Sequence, residues 1–583
     1  MTTRIARIVT GALLLLAPMC ILSAAEISLD QYHDFRSMRQ SLRTLVDGYP
    51  DLMTLESLGQ TIQGRDIYAV TLTAGSSPEQ QPGILIAGGV QGKDIAASEA
   101  CLGILQGLAS GYGQVDSVTA ALETTTFYVL PRVNPDATEA YFSSPQYERT
   151  LNARSMDPDK DGRTDEDGYN DLNEDGFITL LRIPDPAGGW LPDHQVPQLL
   201  KQADPEQGER GRYRVMPEGI DDDEDGEWNE DEPGGVNFNR NFTFQYRFFT
   251  EGAGPHQVSE AGTRAVADFA FAHNNIAAVF SFGPGNNLFH PWESRRNGDR
   301  ADRSSRRPVT SVLPEDEKYY RILSRKFREI TALHDAPAAV RGAGDFSRWA
   351  YYHYGRWSLS VPVWWPPAIE TEPDTGTTGM DGNGNGNQDR SRLRMTAGDD
   401  PLNMERRLWA WLQQTNQTDK FVEWTEISHP DFPDTTVEVG GFQPYVSLNP
   451  PVDSLAGRAL RNTQFLVHLS QLLGRISLEQ IRVENLHSNV YRITVVAANS
   501  GFLPTSSRLG ARNQWAPPVK VALELTEEQE LASGRSVHLV DAIAGSGDTR
   551  EYQWVVIGEQ GSRVTLTAGS PMTGSLRRTI ELR

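Results

Sequence analysis

Apolar positions along this chain follow two spacings, and each predicts a different kind of element. From Asp66 to Leu72, Gly83 to Ala87, Thr125 to Leu130, Ile276 to Phe282 and Trp357 to Trp364 they form short blocks rich in β-branched and aromatic residues. Such blocks predict strands covered on both faces of a sheet. Between them the spacing changes to three and four. Tyr319, Ile322, Leu323, Phe327 and Ile330 trace one helical stripe; Val266, Phe269 and Ala270 trace another, with Ser259 placed to cap it. Strands alternating with helices predict an α/β architecture, a sheet sandwiched by helices.

The last hundred residues read differently. Val490 to Val496, Val519 to Leu525, Tyr552 to Ile557 and Val564 to Thr567 alternate or run as short strands, separated by polar clusters such as Asn499-Ser500-Gly501. This predicts an all-β sandwich. The boundary is expected near Arg475 to Leu478, after a helix carrying Leu460, Phe465, Leu466 and Leu469. The expected division is a leader over residues 1–25, an α/β domain over 26–475 and a β-sandwich over 478–583.

With 583 residues the chain can support two or three full hydrophobic cores. A hydrophobic share of 38% is ordinary for a globular protein and argues against bulk disorder. The formal charge of −23 argues against nucleic acid as a partner, which needs clustered Lys and Arg. The acid is concentrated in a few loops, which points to cations instead. Arg4 and Arg7, the apolar run Ile8 to Leu22 and the small residues Ser23-Ala24-Ala25 read as an export signal, too short for a membrane span. The expected destination is periplasmic or extracellular. Removing that segment leaves Cys101 alone, so no intrachain disulfide can form.

Two stretches carry the chemistry. One is Ile84-Leu85-Ile86-Ala87-Gly88-Gly89-Val90-Gln91-Gly92-Lys93-Asp94; the other is Val236-Asn237-Phe238-Asn239-Arg240-Asn241-Phe242. Together with Asn134-Pro135-Asp136 they resemble the zinc carboxypeptidase family of the carboxypeptidase A type, over roughly Tyr32 to Leu473. The resemblance implies a mixed sheet between helices. It also implies a zinc ion on three protein ligands, with water in an open position.

The metal and proton-transfer positions depart from that family. Its His-x-x-Glu motif reads Gln91-Gly92-Lys93-Asp94 here; an amide is a poor zinc ligand, although Asp94 offers a carboxylate. Gly283 stands where the resemblance places the third ligand, and His290, seven residues on, is ~23 Å away along an extended strand. Pro362 occupies the position of the catalytic glutamate and cannot ionise. Glu370 is ~26 Å further along and follows Pro366-Pro367. What persists is the Asn239-Arg240 pair, which the resemblance assigns to gripping a terminal carboxylate, and Arg149 at the carbonyl-polarising position, with Arg154 as an alternative. His256, His273 and His353 read as packing or surface residues.

Acidic loops form the remaining signal. Calcium takes oxygen ligands at alternate positions of a tight loop with glycine sixth. Asp157, Asp159, Asp161 and Asp165 fit around Gly162; Asp171, Asn173, Asp175 and Thr179 fit around Gly176. Asp221, Asp223, Asp225, Asn229 and Glu232 fit around Gly226; a weaker set is Asp381, Asn383, Asn385 and Asp389. These loops lie in insertions, about 155–235 and 374–392, that are expected to have little core of their own.

The leading expectation is an exported, calcium-stabilised pseudoenzyme. Zinc and hydrolysis would be lost, and a cleft would still bind a peptide or carboxylate ligand through Asn239, Arg240 and Arg149. One alternative is an active metallocarboxypeptidase with relocated ligands. Another is a purely structural surface protein with calcium loops.

Overall fold

In the computed structural model, residues 26–583 are described apart from 157–161, 165–166, 223–225, 227, 230–233, 296–307, 341 and 369–401. The proposed leader therefore lies outside the described residues. After helix α1 (Phe35–Gly48), which buries Met38, Leu42 and Leu45, strands β1 (Met53–Gln60) and β2 (Asp66–Leu72) form an antiparallel hairpin. Then follow β3 (Gly83–Ala87), α2 (Ala96–Gly111), α3 (Asp116–Thr124), β4 (Thr126–Leu130) and α4 (Pro135–Glu139). The first acidic insertion holds the short strands β5 (Leu180–Pro184), β6 (Trp190–Pro192), β7 (Leu200–Gln202) and β8 (Tyr213–Pro217). Next come α5 (Ala261–Ala272), β9 (Ile276–Phe282), α6 (Pro314–Thr331), α7 (Phe346–Tyr352) and β10 (Trp357–Val361).

Six of these strands form one sheet in the order β1-β2-β4-β3-β9-β10. The β1, β2 and β4 pairings are antiparallel, while β3 pairs in parallel with β4 and β9, and β9 with β10. Every residue of β3, β4, β9 and β10 is buried, as the continuous apolar blocks predict. The last strand stops at Val361 rather than Trp364, because Pro362 has no N–H to continue the ladder. Ser259 does not cap α5. Glu260 holds the cap position without a side-chain cap bond, and the Ser259 hydroxyl donates to the Glu260 carboxylate at 2.6 Å.

The chain continues through α8 (Asn403–Gln414), β11 (Phe421–Ile427), β12 (Val437–Phe442) and α9 (Leu455–Leu472). Helix α9 packs on α2 so closely that a Cβ at Gly103 would sit 2.4 Å from the Ala459 Cβ; only glycine allows this approach. Strands β11 and β12 join the insertion strands in a second, wholly antiparallel sheet of order β11-β12-β5-β8-β6-β7. This sheet differs from the expectation of insertions with little core. It buries Leu181, Ile183, Val437 and Val439 together, and Leu199 packs with Trp409 and Phe421. Arg182 and Glu438, directly opposite across β5 and β12, form two hydrogen bonds of 2.7 and 2.8 Å, and the guanidinium lies over Trp424.

The C-terminal region is all-β apart from the short helix α10 (Arg508–Arg512), which follows β13 (Ile476–His487) and β14 (Val490–Asn499). Its other strands are β15 (Val519–Glu524), β16 (Glu530–Ser533), β17 (Val537–Val540), β18 (Thr549–Ile557), β19 (Arg563–Ser570) and β20 (Gly574–Glu581). They make two four-stranded antiparallel sheets, β13-β14-β18-β16 and β17-β15-β19-β20. Tyr491, Ile493, Trp554, Val521 and Leu566 lie in the core between them. This sandwich is fastened to the α/β domain by buried polar contacts. Asp316 on α6 accepts from the Arg508 N–H at 2.8 Å and from the Tyr351 hydroxyl at 2.7 Å, and burial pushes its carboxyl up to about 6. Arg356 donates to the carbonyls of Ile276, Tyr354 and Trp515 at 2.6, 2.9 and 3.1 Å.

Candidate functional site

The parallel strands bring the substituted positions to one edge of the sheet. Ala87 of β3 lies opposite Ser281 of β9, and Val361 of β10 lies opposite Phe282. Gln91, Gly283 and Pro362 therefore follow neighbouring strand ends. Chemically, the edge offers little. A Cβ at Gly283 would meet Val90 at 3.6 Å, ordinary contact, so a side chain fits there but none is present. Asp94 is buried and turned into the protein: its carboxylate accepts from the Ala97 N–H at 3.1 Å, and burial pushes it up to about 7. A zinc-ligating carboxylate must be ionised, and this one is held in surroundings that favour the neutral acid.

No imidazole converges on this edge. His290 is exposed and its Nε2 bonds the Pro337 carbonyl at 2.9 Å. His256, His273 and His353 bond Gln257, Phe269 and Thr243 respectively. Among the described residues no group of three or more His, Cys, Asp or Glu side chains is placed to hold a metal. Glu370 lies outside them. The donor set at Gln91, Asp94, Gly283 and Pro362 does not fit a catalytic zinc.

Beside this edge lies a polar cleft of about 310 Å³, lined by Gln91, Tyr147, Arg149, Asn237, Arg240 and Glu251 among others. A short turn, Phe238–Arg240, presents Arg240; Asn237 caps it by accepting from the Asn239 N–H at 2.8 Å. The Arg240 side chain is exposed, donates to the Glu251 carbonyl at 2.9 Å and has no carboxylate partner among the described residues. Asn239 faces elsewhere. Its amide donates to Asp345 at 3.1 Å and accepts from the Phe346 N–H at 2.9 Å, which fixes the start of α7. Arg149 lines the cleft but spends its guanidinium on the carbonyls of Leu151, Asn152 and Gly234 and on the Tyr147 hydroxyl. Arg154 pairs with Glu260 at 3.1 Å.

Sequence reasoning did not single out Asn237, Tyr147 or Glu148. The signal was adjacency, since each lies within three residues of Arg149 or Arg240. Glu148 pairs with Lys93 at 2.9 Å and accepts from the Tyr445 N–H at 3.0 Å, closing one side of the cleft.

In the acidic loops, Asp171 accepts from the N–H groups of Asp175 and Gly176 at 3.1 and 2.8 Å, and Asp175 from Phe177 at 2.9 Å. Gly176 has φ of 86°, the left-handed turn the calcium-loop pattern assigns to glycine. The unanticipated Glu218 is buried beneath this loop and accepts from the N–H groups of Leu172, Asn173 and Thr179. In the third loop Asp221 accepts from the Gly226 N–H at 2.9 Å, and Asn229 donates to the buried Asp167 at 2.6 Å. Asp157, Asp159, Asp161, Asp165, Asp223, Asp225, Glu232, Asp381, Asn383, Asn385 and Asp389 lie outside the described residues.

The profile of the zinc carboxypeptidase family matches residues 38–177, and that of a domain of unknown function (DUF8731) matches residues 475–581. Carboxypeptidase D of Rattus norvegicus is 28% identical over 143 residues, 24% of this chain and 10% of that protein. An inactive metallocarboxypeptidase, ECM14, of Saccharomyces cerevisiae is 32% identical over 111 residues, 18% of this chain and 25% of that protein. The chain thus spans between a tenth and a quarter of these two relatives. The solved carboxypeptidase A of Helicoverpa armigera aligns with 60% of this chain and 68% of its own at 14% identity, with a TM-score of 0.36. Over residues 38–177 the chain is similar to the zinc carboxypeptidase family, and the similarity extends to active and inactive relatives alike.

Proposed function

We propose that this protein is an exported carboxypeptidase-fold binding protein without zinc-dependent hydrolysis, whose cleft takes the terminal carboxylate of a peptide. One observation carries the reading. The sheet edge that would hold metal presents an amide, a glycine and a proline, with Asp94 buried, while Arg240 beside it stays open in the cleft. A guanidinium without a carboxylate partner suits a ligand carboxylate. In this reading Arg240 makes the contact, Asn237 and Asn239 hold its turn, and Arg149 shapes the cleft wall rather than polarising a carbonyl. Calcium bound by the acidic loops would relieve repulsion among their carboxylates and brace the second sheet, whose strand β5 directly follows the loop of Asp171 and Asp175.

The test uses the purified chain without its leader and a set of peptides with free or amidated C-termini. Free-acid peptides should bind more tightly than their amides, and Arg240→Ala should erase the difference. Metal analysis should find calcium without stoichiometric zinc. Zinc-dependent release of C-terminal residues would overturn the reading and restore the active-enzyme alternative. Ligand binding indifferent to Arg240 would favour the purely structural one.

A further inference from the structure

A larger cavity, about 540 Å³, adjoins the cleft and shares Tyr147, Glu148 and Tyr169 with it. Its walls come from the second sheet and from α8, principally Trp190, Trp424, Phe421, Phe442, Met216 and Leu408. The size falls within the range of roughly 300–1,000 Å³ typical of small-molecule sites, and the lining is aromatic and aliphatic as such sites require. Its charges are one-sided. Among the described residues no Lys, Arg or His lines it, whereas two carboxylates do, Glu148 and Glu405. Glu148 is already engaged by Lys93 and the Tyr445 N–H. Glu405 has no hydrogen-bond or ionic partner among the described residues. Its side chain is open to the cavity, yet the surrounding protein pushes its carboxyl up to about 7.

We propose that this cavity binds a small apolar or aromatic molecule carrying an amine, its body packed against the tryptophans and phenylalanines and its ammonium on Glu405. Apolar burial supplies the attraction, and the aromatic faces add to it for a cation. Glu405 disfavours anions of the same shape, for which the described wall residues offer no basic partner. A carboxylate open to an apolar cavity and without a protein partner among the described residues is placed to meet a ligand cation. The site does not depend on the cleft reading, since Arg240 lines the cleft and not this cavity.

Calorimetry and ligand-observed NMR on the full chain, with 4-phenylbutylamine and 4-phenylbutyrate as matched probes, test this. The amine should bind at least about tenfold more tightly than the acid, and Glu405→Gln should remove that preference. Leu180→Trp, at a wall position 39% exposed and so tolerant of bulk, should block the amine, while Arg240→Ala should leave its binding unchanged. Circular dichroism and thermal melting confirm that each variant is folded. Equal affinity for the two probes, binding of neither, amine binding that survives both cavity variants, or its loss in Arg240→Ala would each overturn the proposal.

Discussion

Replacing Asp94 by asparagine tests directly the electrostatics at the position where the family resemblance places a metal ligand. In the native protein the buried Asp94 carboxyl is raised from the usual 3.8 to about 7, and its one hydrogen bond comes from the Ala97 N–H. Below the lower value both folded and unfolded chains hold the proton, so the acid costs nothing. Between the two values the unfolded chain releases it first, and native stability falls as pH rises; above about 7 the loss is complete. The gap corresponds to about 4 kcal/mol at 1.36 kcal/mol per pH unit. Asparagine keeps an oxygen for Ala97 and never ionises. Urea denaturation of both proteins at pH 4.5 and pH 8 should show Asp94→Asn gaining roughly 3 kcal/mol relative to wild type between the two conditions. Using the difference cancels every other titrating group. An offset equal at both pH values would mean that the native carboxylate is ionised and stabilised by a cation, and the argument against a metal at this edge would fail.

Other predictions follow from contacts elsewhere. Gly344 has φ of +73°, and a Cβ there would lie 2.0 Å from the Arg240 carbonyl; Gly344→Ala should therefore destabilise the fold and weaken free-acid peptide binding, read by melting and titration. Glu218→Ala should cost about 3 kcal/mol or more, because three backbone N–H groups lose their acceptor, and chemical denaturation measures it. If calcium occupies the acidic loops, EGTA should lower the melting temperature and added calcium restore it; a melt indifferent to both removes calcium from the account. Trp554→Ala, in the centre of the sandwich, should cost about 3–5 kcal/mol without changing the cleft.

The inner strands of the central sheet were legible because they are buried on both faces, so the apolar blocks of β2, β3 and β9 stand out; the edge strand β1, mostly exposed, carried no such block and was missed. The second sheet was not. Strands such as Leu200–Gln202 are three residues long, and β5 alternates Leu181 and Ile183 with Arg182, whose charge is neutralised only by Glu438 far along the chain. Local spacing carries no trace of such a partner. The identities at Gln91, Gly283 and Pro362 were readable directly, since glycine and proline bring no side-chain metal ligand in any fold. Roles that depend on direction were not readable. Asn239 turning to Asp345 and Arg149 spending itself on carbonyls are consequences of where the chain folds back. The cavity beside the cleft was invisible for the same reason: Trp190, Glu405 and Trp424 are distant in sequence and meet only when insertion strands and α8 assemble.

The buried fastening between the α/β domain and the C-terminal sandwich has a practical corollary. Arg356 reaches Trp515 across the seam, and Asp316 anchors the chain at Arg508. Cutting the protein at residue 475 would bare a cation and an acid, Arg356 keeping only the Ile276 and Tyr354 carbonyls and Asp316 only the Tyr351 hydroxyl among the contacts named above. Neither fragment should therefore behave as an autonomous module, and the tail cannot swing on a tether to hunt for targets. The C-terminal sandwich is braced against the α/β domain, as a bracket rather than a leash.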